Sequence, residues 1–129
     1  MTEYNLEKII IVLHGSLLNH TYELENFIKK LATALKRKPE DVKYAFLQFG
    51  SPSLENSISH YIKENVKNII VHPLFLLSGK HVNSHIPDII KKFKQNYPDI
   101  NITCTKPLGL HEKLIDIIID IIKERIEER

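Results

Sequence analysis

Cysteine is nearly missing from this chain: Cys104 is the one thiol in 129 residues. No disulfide can close within the chain, and no multi-cysteine zinc site can be built. The implied setting is reducing and cytoplasmic. Long apolar runs are also missing, and none approaches the roughly 20 residues of a membrane span. The opening stretch MTEYNLEK is polar and mixed in charge, unlike a signal peptide. A formal net charge of only +2 argues against nucleic acid as a main partner. Several catalytic patterns are absent too. There is no Gly-rich phosphate loop ending in GK and Ser or Thr, and no GxGxxG turn. HGS at 14–16 is not the GxSxG of a nucleophile elbow. HVNSH at 81–85 has Val82 where a zinc protease needs glutamate. No linker, repeat or low-complexity segment divides residues 1–129, so one domain is expected.

What is present is an alternation of apolar strands and amphipathic helices. Hydrophobic residues make up 43% and charged residues 26%, the balance of a chain that buries a real core. Ile9–Leu13 reads as a strand buried on both faces. A helix follows, with Leu24, Phe27, Ile28, Leu31 and Leu35 as its inward stripe, Asn19 or Thr21 as its cap, and Pro39 as its stop. DVKYAFLQF is the second strand. The next helix places Ser51 at its N-cap and Pro52 at its first turn, with Leu54, Ile58, Tyr61 and Ile62 inward. Ile69–Val71 is the heart of the third strand, with Pro73 disturbing the pairing at its end. Ser78 and Gly79 open a loop before a third helix over Ser84–Asn96. INITCTK is a fourth strand, in which Cys104 alternates with Ile100 and Ile102 and so is expected inside. The last helix carries Leu114, Ile115, Ile117, Ile118, Ile119, Ile121, Ile122 and Ile126, an arc wider than one face, which implies deep burial or a second subunit.

The βαβαβαβα order predicts an α/β fold: a four-stranded parallel sheet with helices on both faces, in a flavodoxin-like single domain. Ligands of such folds sit beyond the carboxyl ends of the strands, at the switch point. With strand order 2-1-3-4, the loops after strands 1 and 3 meet there, carrying His14 and His81. Neutral imidazoles bind first-row divalent metals and take up protons near neutral pH. A strand-end histidine also serves as a plain surface or capping group, and the sequence holds five others. His60 is expected solvated and His72 satisfied within the sheet, with His20, His85 and His111 unassigned.

IIIVLHGS, YAFLQFGSPSLENSI, IIVHPLFLLSGKHVNSHIPDII and KPLGLHEKL together resemble the small CbiX-type sirohydrochlorin chelatases, of the class II chelatase family, over about residues 8–115. The resemblance implies a chelatase-like fold and an ATP-independent lyase. It inserts Co2+ into sirohydrochlorin with release of two protons, in anaerobic cobalamin biosynthesis; nickel or iron insertion, or a non-catalytic metal or tetrapyrrole carrier, are the alternatives. No cofactor is required, and a homodimer is implied. His14 corresponds to a metal ligand and proton acceptor, and His81 to the second metal ligand. Gln48, Ser51, Leu76, Leu77, Ser78, Gly79, Lys80 and His81 would line the tetrapyrrole site, with Lys80, Lys106 and Ser78 available to its carboxylates. Relatives commonly carry an acid at the positions of Gln48 and His85.

Overall fold

Alternate residues of a strand face opposite sides, and the first strand uses both sides for apolar contact. In the computed structural model, Ile10 and Val12 enter one core while Ile11 enters another, with Ile9 packed against it. The structure describes residues 7–15, 21–77 and 79–127, with the backbone alone at 21 and 80–83. Its elements are β1 (Lys8–Gly15), α1 (Thr21–Ala34), a 3-10 turn (Pro39–Asp41), β2 (Val42–Phe49), α2 (Leu54–Lys63), β3 (Asn68–Pro73), α3 (Lys80–Asn96), β4 (Asn101–Cys104) and α4 (Lys113–Glu127).

All strand pairs are parallel, and the order is β2-β1-β3-β4. The α/β architecture expected from the sequence is therefore borne out, and the order is the one that makes β1 and β3 neighbours. The larger core joins the sheet to α2 and α3 through Leu54, Ile58, Tyr61, Ile86, Ile89 and Ile90. The smaller one holds α1 to the opposite face through Ile28 and Ala32. Full burial of one such isoleucine contributes about 1.5–3 kcal/mol. Lys8 and Asp41 form an ion pair that ties the start of β1 to the 3-10 turn before β2. The Tyr61 hydroxyl donates to the Glu40 carbonyl at 3.1 Å, joining α2 to that turn.

Pro73 lies in register with Val12 at the end of β3. It faces the same side as Val71, whose carbonyl receives the Thr105 N–H at 2.9 Å. Since β4 has ended at Cys104, the N–H that proline lacks has no ladder partner to lose there. The Pro73 carbonyl still accepts from the Leu108 N–H at 3.1 Å.

Five expectations need correction. Phe27 and Leu35 are 53% and 45% exposed: the stripe that packs is Leu24, Ile28, Leu31 and Ala32, which leaves Phe27 off its edge, while Leu35 lies past the end of α1. The cap of α2 is Ser53, not Ser51, and its side chain accepts the Asn56 N–H. The Pro52 carbonyl accepts the Phe46 N–H at 2.8 Å, which holds Pro52 to the edge of β2 and starts the helix two residues later. Helix α3 begins at Lys80 rather than Ser84, so His81 lies in its first turn and not in a loop. Cys104 is exposed; it shares the face of buried Ile102 but sits at the strand's end. Finally, α4 buries none of its residues in this chain, so the deep-burial reading fails. Of the two cap positions offered for α1, Thr21 is its first helical residue, and Asn19 lies outside the described residues.

Candidate functional site at the carboxyl end of the sheet

His14 is the penultimate residue of β1, within the strand rather than just beyond it. The ladder between β1 and β2 is irregular at this point. Leu13 pairs with Phe46 and Gly15 with Phe49, so Leu47 and Gln48 together oppose His14. An extra residue in one strand bends the ladder and re-aims side chains. Leu47 turns into the core while Gln48 is exposed, and the His14 side chain is also exposed.

Gly15 is what allows this closeness. Its φ is +151°, and a Cβ there would stand 2.7 Å from both the backbone N and the backbone O of Phe49. No larger residue fits without moving β2. The turn beyond β2 is similarly tight, because a Cβ on Gly50 would stand 2.7 Å from the Phe46 ring.

On the other flank, the Leu74 N–H donates to the Val12 carbonyl at 2.8 Å. This extends the β1–β3 pairing past Pro73 and brings Phe75 beside His14. The two rings meet edge to face with centroids 6.2 Å apart. Phe75 is 8% exposed, whereas Leu76 and Leu77 just after it are 56% and 81% exposed. Phe49 is 54% exposed at the end of β2. Apolar surface therefore stands at the strand ends on both sides of His14. Phe75 also borders a cleft of about 360 Å³ with Pro73, Ile86, Pro87, Cys104, Thr105 and Pro107.

The expected site residues divide accordingly. His14, Gln48, Leu76 and Leu77 lie at the carboxyl ends of neighbouring strands. Gly79 occupies the N-cap position of α3 without a capping side chain. His81 follows in the first turn and His85 one turn later. Ser78 lies outside the described residues, as do the side chains of Lys80 and His81. Ser51 is exposed and has lost its expected capping role to Ser53. Phe49 and Phe75 were missed by the sequence reading. The signal for Phe75 was the PLFLL run after strand 3, which reads equally well as strand core.

The other described histidines have separate roles. His72 Nδ1 lies 2.7 Å from Thr105 Oγ1. The Thr105 hydroxyl donates to the Lys106 carbonyl at 2.9 Å, so its lone pair is what faces His72, and Nδ1 donates. Burial holds the His72 pKa below its ordinary value, which keeps the ring neutral in the sheet. His60 pairs with Glu64 at 2.6 Å on the surface of α2. The Nδ1 of His111 accepts the Lys113 N–H at 3.1 Å, at the start of α4. Among the described residues no three histidine, cysteine or carboxylate side chains are gathered as a metal cage. No described helix is long and apolar enough to cross a membrane.

The CbiX family model matches residues 8–128. A sirohydrochlorin cobaltochelatase of Sulfurisphaera tokodaii is 30% identical over 120 residues, covering 93% of this chain and 91% of the relative. A sirohydrochlorin ferrochelatase of Priestia megaterium is 28% identical over 92% of this chain, which spans only 44% of that longer protein. Among solved structures, a CbiX protein from Marinobacter aquaeolei superposes with a TM-score of 0.73 at 27% identity, over 96% of this chain and 100% of the other. The sirohydrochlorin chelatase SirB of Bacillus subtilis, solved with cobalt, gives 0.73 at 27% identity over 90% of this chain and 49% of SirB. The chain thus spans about half the length of the longer relatives.

Proposed function

The chain belongs to the CbiX family, and on that premise we propose that it is a sirohydrochlorin cobaltochelatase, inserting Co2+ into sirohydrochlorin with release of two protons. One observation carries the assignment to a site: His14 is presented at the carboxyl end of a parallel sheet, flanked by Phe75 and by exposed apolar side chains. Cobalt is preferred over nickel and iron because the archaeal relative that matches nearly end to end is a cobaltochelatase. Imidazole ligands accept all three metals, and cells set selectivity by supply and geometry.

In the proposed mechanism, Phe49, Leu76 and Leu77 offer an apolar ledge to the flat macrocycle, and Lys80, Lys106 and Ser78 meet its carboxylates. His14 and His81 hold the incoming metal through neutral nitrogens. Once the metal passes to the ring, the His14 nitrogen that held it is free to take one pyrrole proton, which couples loading to deprotonation at one atom, and the second pyrrole proton leaves to water. The edge contact with Phe75 fixes the imidazole orientation, which shortens the search for a productive geometry. Gln48, opposite His14, has no basic group, so its part is limited to hydrogen bonding with the substrate. No step calls for ATP or a resident cofactor.

The same proposal includes a homodimer of single-domain chains, in the cytoplasm. Seven isoleucines of α4, from Ile115 to Ile126, are at least 42% exposed. A surface of this kind on one helix is unstable toward water and calls for a protein partner. Relatives twice as long are what a pair of such chains would match in size.

The assignment is tested by anaerobic absorbance spectroscopy with purified protein, sirohydrochlorin and one metal at a time. Accelerated loss of the metal-free spectrum, fastest with Co2+, supports the cobaltochelatase. Fastest insertion of nickel or iron reassigns the metal, and no acceleration with any metal overturns the enzyme in favour of a carrier.

A further inference from the structure

Beyond the end of β4 at Cys104 the chain does not leave the sheet at once. Residues 105–109 continue beside the end of β3 as a strap tied at three points. The Thr105 N–H donates to the Val71 carbonyl at 2.9 Å, the Leu108 N–H to the Pro73 carbonyl at 3.1 Å, and the Gly109 N–H to the Phe75 carbonyl at 2.8 Å. The acceptors fall on alternate residues, so all three belong to the edge of β3 that had been paired with β4. The strap is itself stiff. The Thr105 hydroxyl accepts from His72 Nδ1 at 2.7 Å and donates to the Lys106 carbonyl at 2.9 Å. Pro107 restricts its own φ and the conformation of the residue before it. Gly109 closes the strap at φ +59°, in the left-handed region that asparagine enters far more readily than a β-branched residue.

Phe75 is the residue that needs such a tie. The pairing of β3 with β1 reaches as far as the Leu74 N–H, which donates to the Val12 carbonyl one residue short of Phe75. Leu76 and Leu77, just beyond, are exposed. On the strap side Phe75 borders the cleft of about 360 Å³ that it shares with Thr105 and Pro107. Side-chain packing therefore leaves that flank open, and the backbone bond from Gly109 spans it. The same Phe75 ring meets the His14 imidazole edge to face.

We propose that Gly109 is a positioning residue for metal insertion: its left-handed backbone aims its N–H at the Phe75 carbonyl, and Phe75, so held, sets the orientation of the His14 ring. The proposal rests on the chelatase reading for what His14 does; the tether from Gly109 through Phe75 to His14 is a property of the fold and is read separately. No bond is made or broken at Gly109. Its contribution is to geometry, and a reacting group held loosely loses rate while the substrate contacts around it persist. The effect therefore belongs in kcat rather than in KM.

The test compares wild type, Gly109→Val and Gly109→Asn, with thermal melting to show that each folds. Valine is strained at this φ, whereas asparagine keeps the strap and its N–H in place. If the valine variant does not fold, Gly109→Ala replaces it, since its methyl group meets the Pro107 carbonyl oxygen at an ordinary 3.8 Å and carries only the strain in φ. Two quantities are read: the imidazole carbon-bound proton signals of His14 by NMR, identified by their loss in His14→Ala and sensitive to the ring current of Phe75, and the kcat and KM of Co2+ insertion. The tether predicts that Gly109→Val shifts the His14 signals and lowers kcat by about tenfold or more with KM changed by less than about threefold, and that Gly109→Asn restores both. His14 signals at their wild-type positions in a folded Gly109→Val protein would overturn the proposal, even if insertion slows. Shifted signals with an unchanged kcat would overturn it as well. Shifted signals in a protein whose wild type inserts no metal would keep the tether and overturn the chelatase reading instead.

Discussion

The imidazole of His14 and the ring of Phe75 meet at 72° between their planes, edge to face. The two residues lie 61 positions apart in sequence, and the parallel pairing of β1 with β3 brings them together. Phe75 is buried on the core side and touches the exposed histidine on the other, so it transmits the rigidity of the core to a surface group. Phe75→Leu keeps most of the packed volume and should cost less than about 1.5 kcal/mol. It removes the flat edge that orients His14, and turnover should fall by about tenfold or more. Thermal melting beside steady-state kinetics checks both halves: a loss of stability without loss of turnover would assign Phe75 to packing alone.

Gly15 should tolerate no side chain. Gly15→Ala places a methyl group against the Phe49 backbone at a φ that L-residues rarely adopt, and should destabilise the fold by about 1–3 kcal/mol. Gly79→Ala is the matched control, with nothing within 4 Å of its Cβ, and should be close to neutral. Chemical denaturation of the two variants reads the difference. Equal stability would mean that the β1 and β2 ends are not held as close as described.

The pH dependence of stability should have two separate origins. Burial works to raise the Asp41 pKa, but the hydrogen bond and charge of Lys8, the Lys38 backbone N–H and Arg37 together outweigh it and hold the carboxyl below its ordinary 3.8. A depressed carboxylate contributes stability that is present above the unfolded value and lost as pH falls through the folded one. Asp41→Asn should therefore flatten the stability profile below about pH 4, and at neutral pH cost about 1.5–3 kcal/mol for a hydrogen bond to a charged group. His72 is held neutral by burial, so the unfolded chain takes up its proton first as pH drops below about 6.5. His72→Gln should flatten the profile in that higher range. Denaturation midpoints measured from pH 8 to 3 separate the two contributions.

Helix α4 should set the oligomeric state. Ile118 and Ile122 share one face and are 53% and 51% exposed. Ile118→Glu combined with Ile122→Glu should convert a dimer to a monomer in sedimentation velocity, without loss of helical signal. A wild-type protein that is monomeric at micromolar concentration would contradict the role given to this helix.

The sequence was most readable where one physical rule acted alone. Continuous apolar runs at Ile9–Leu13 and Ile69–Val71 marked strands buried on both sides, and the order of elements then left few topologies. His14 was expected just past the first of these runs, whereas it is the penultimate residue of β1. Reading failed where two rules competed. Gly79 caps α3 without a side-chain bond, so no capping side chain marked a helix start at Lys80. Ser51-Pro52 matched a cap and first turn by type, but the Phe46 N–H claimed the Pro52 carbonyl. Cys104 obeyed the alternation and still lies exposed, because alternation reports which face a residue takes and not how far along the strand the covering helix extends. Phe49, 54% exposed, was hidden among core-like residues, since apolar composition does not distinguish a buried strand end from an exposed one.

The most direct test of the account is the rate of Co2+ insertion into sirohydrochlorin by wild type and His14→Ala, after subtraction of the spontaneous reaction. The account predicts catalysis by the wild type and a loss of at least about a hundredfold in the variant. Its melting temperature should be unchanged, because the removed side chain is exposed. Equal rates in the two proteins would contradict the role of His14, and a wild type no faster than the spontaneous reaction would contradict the function itself.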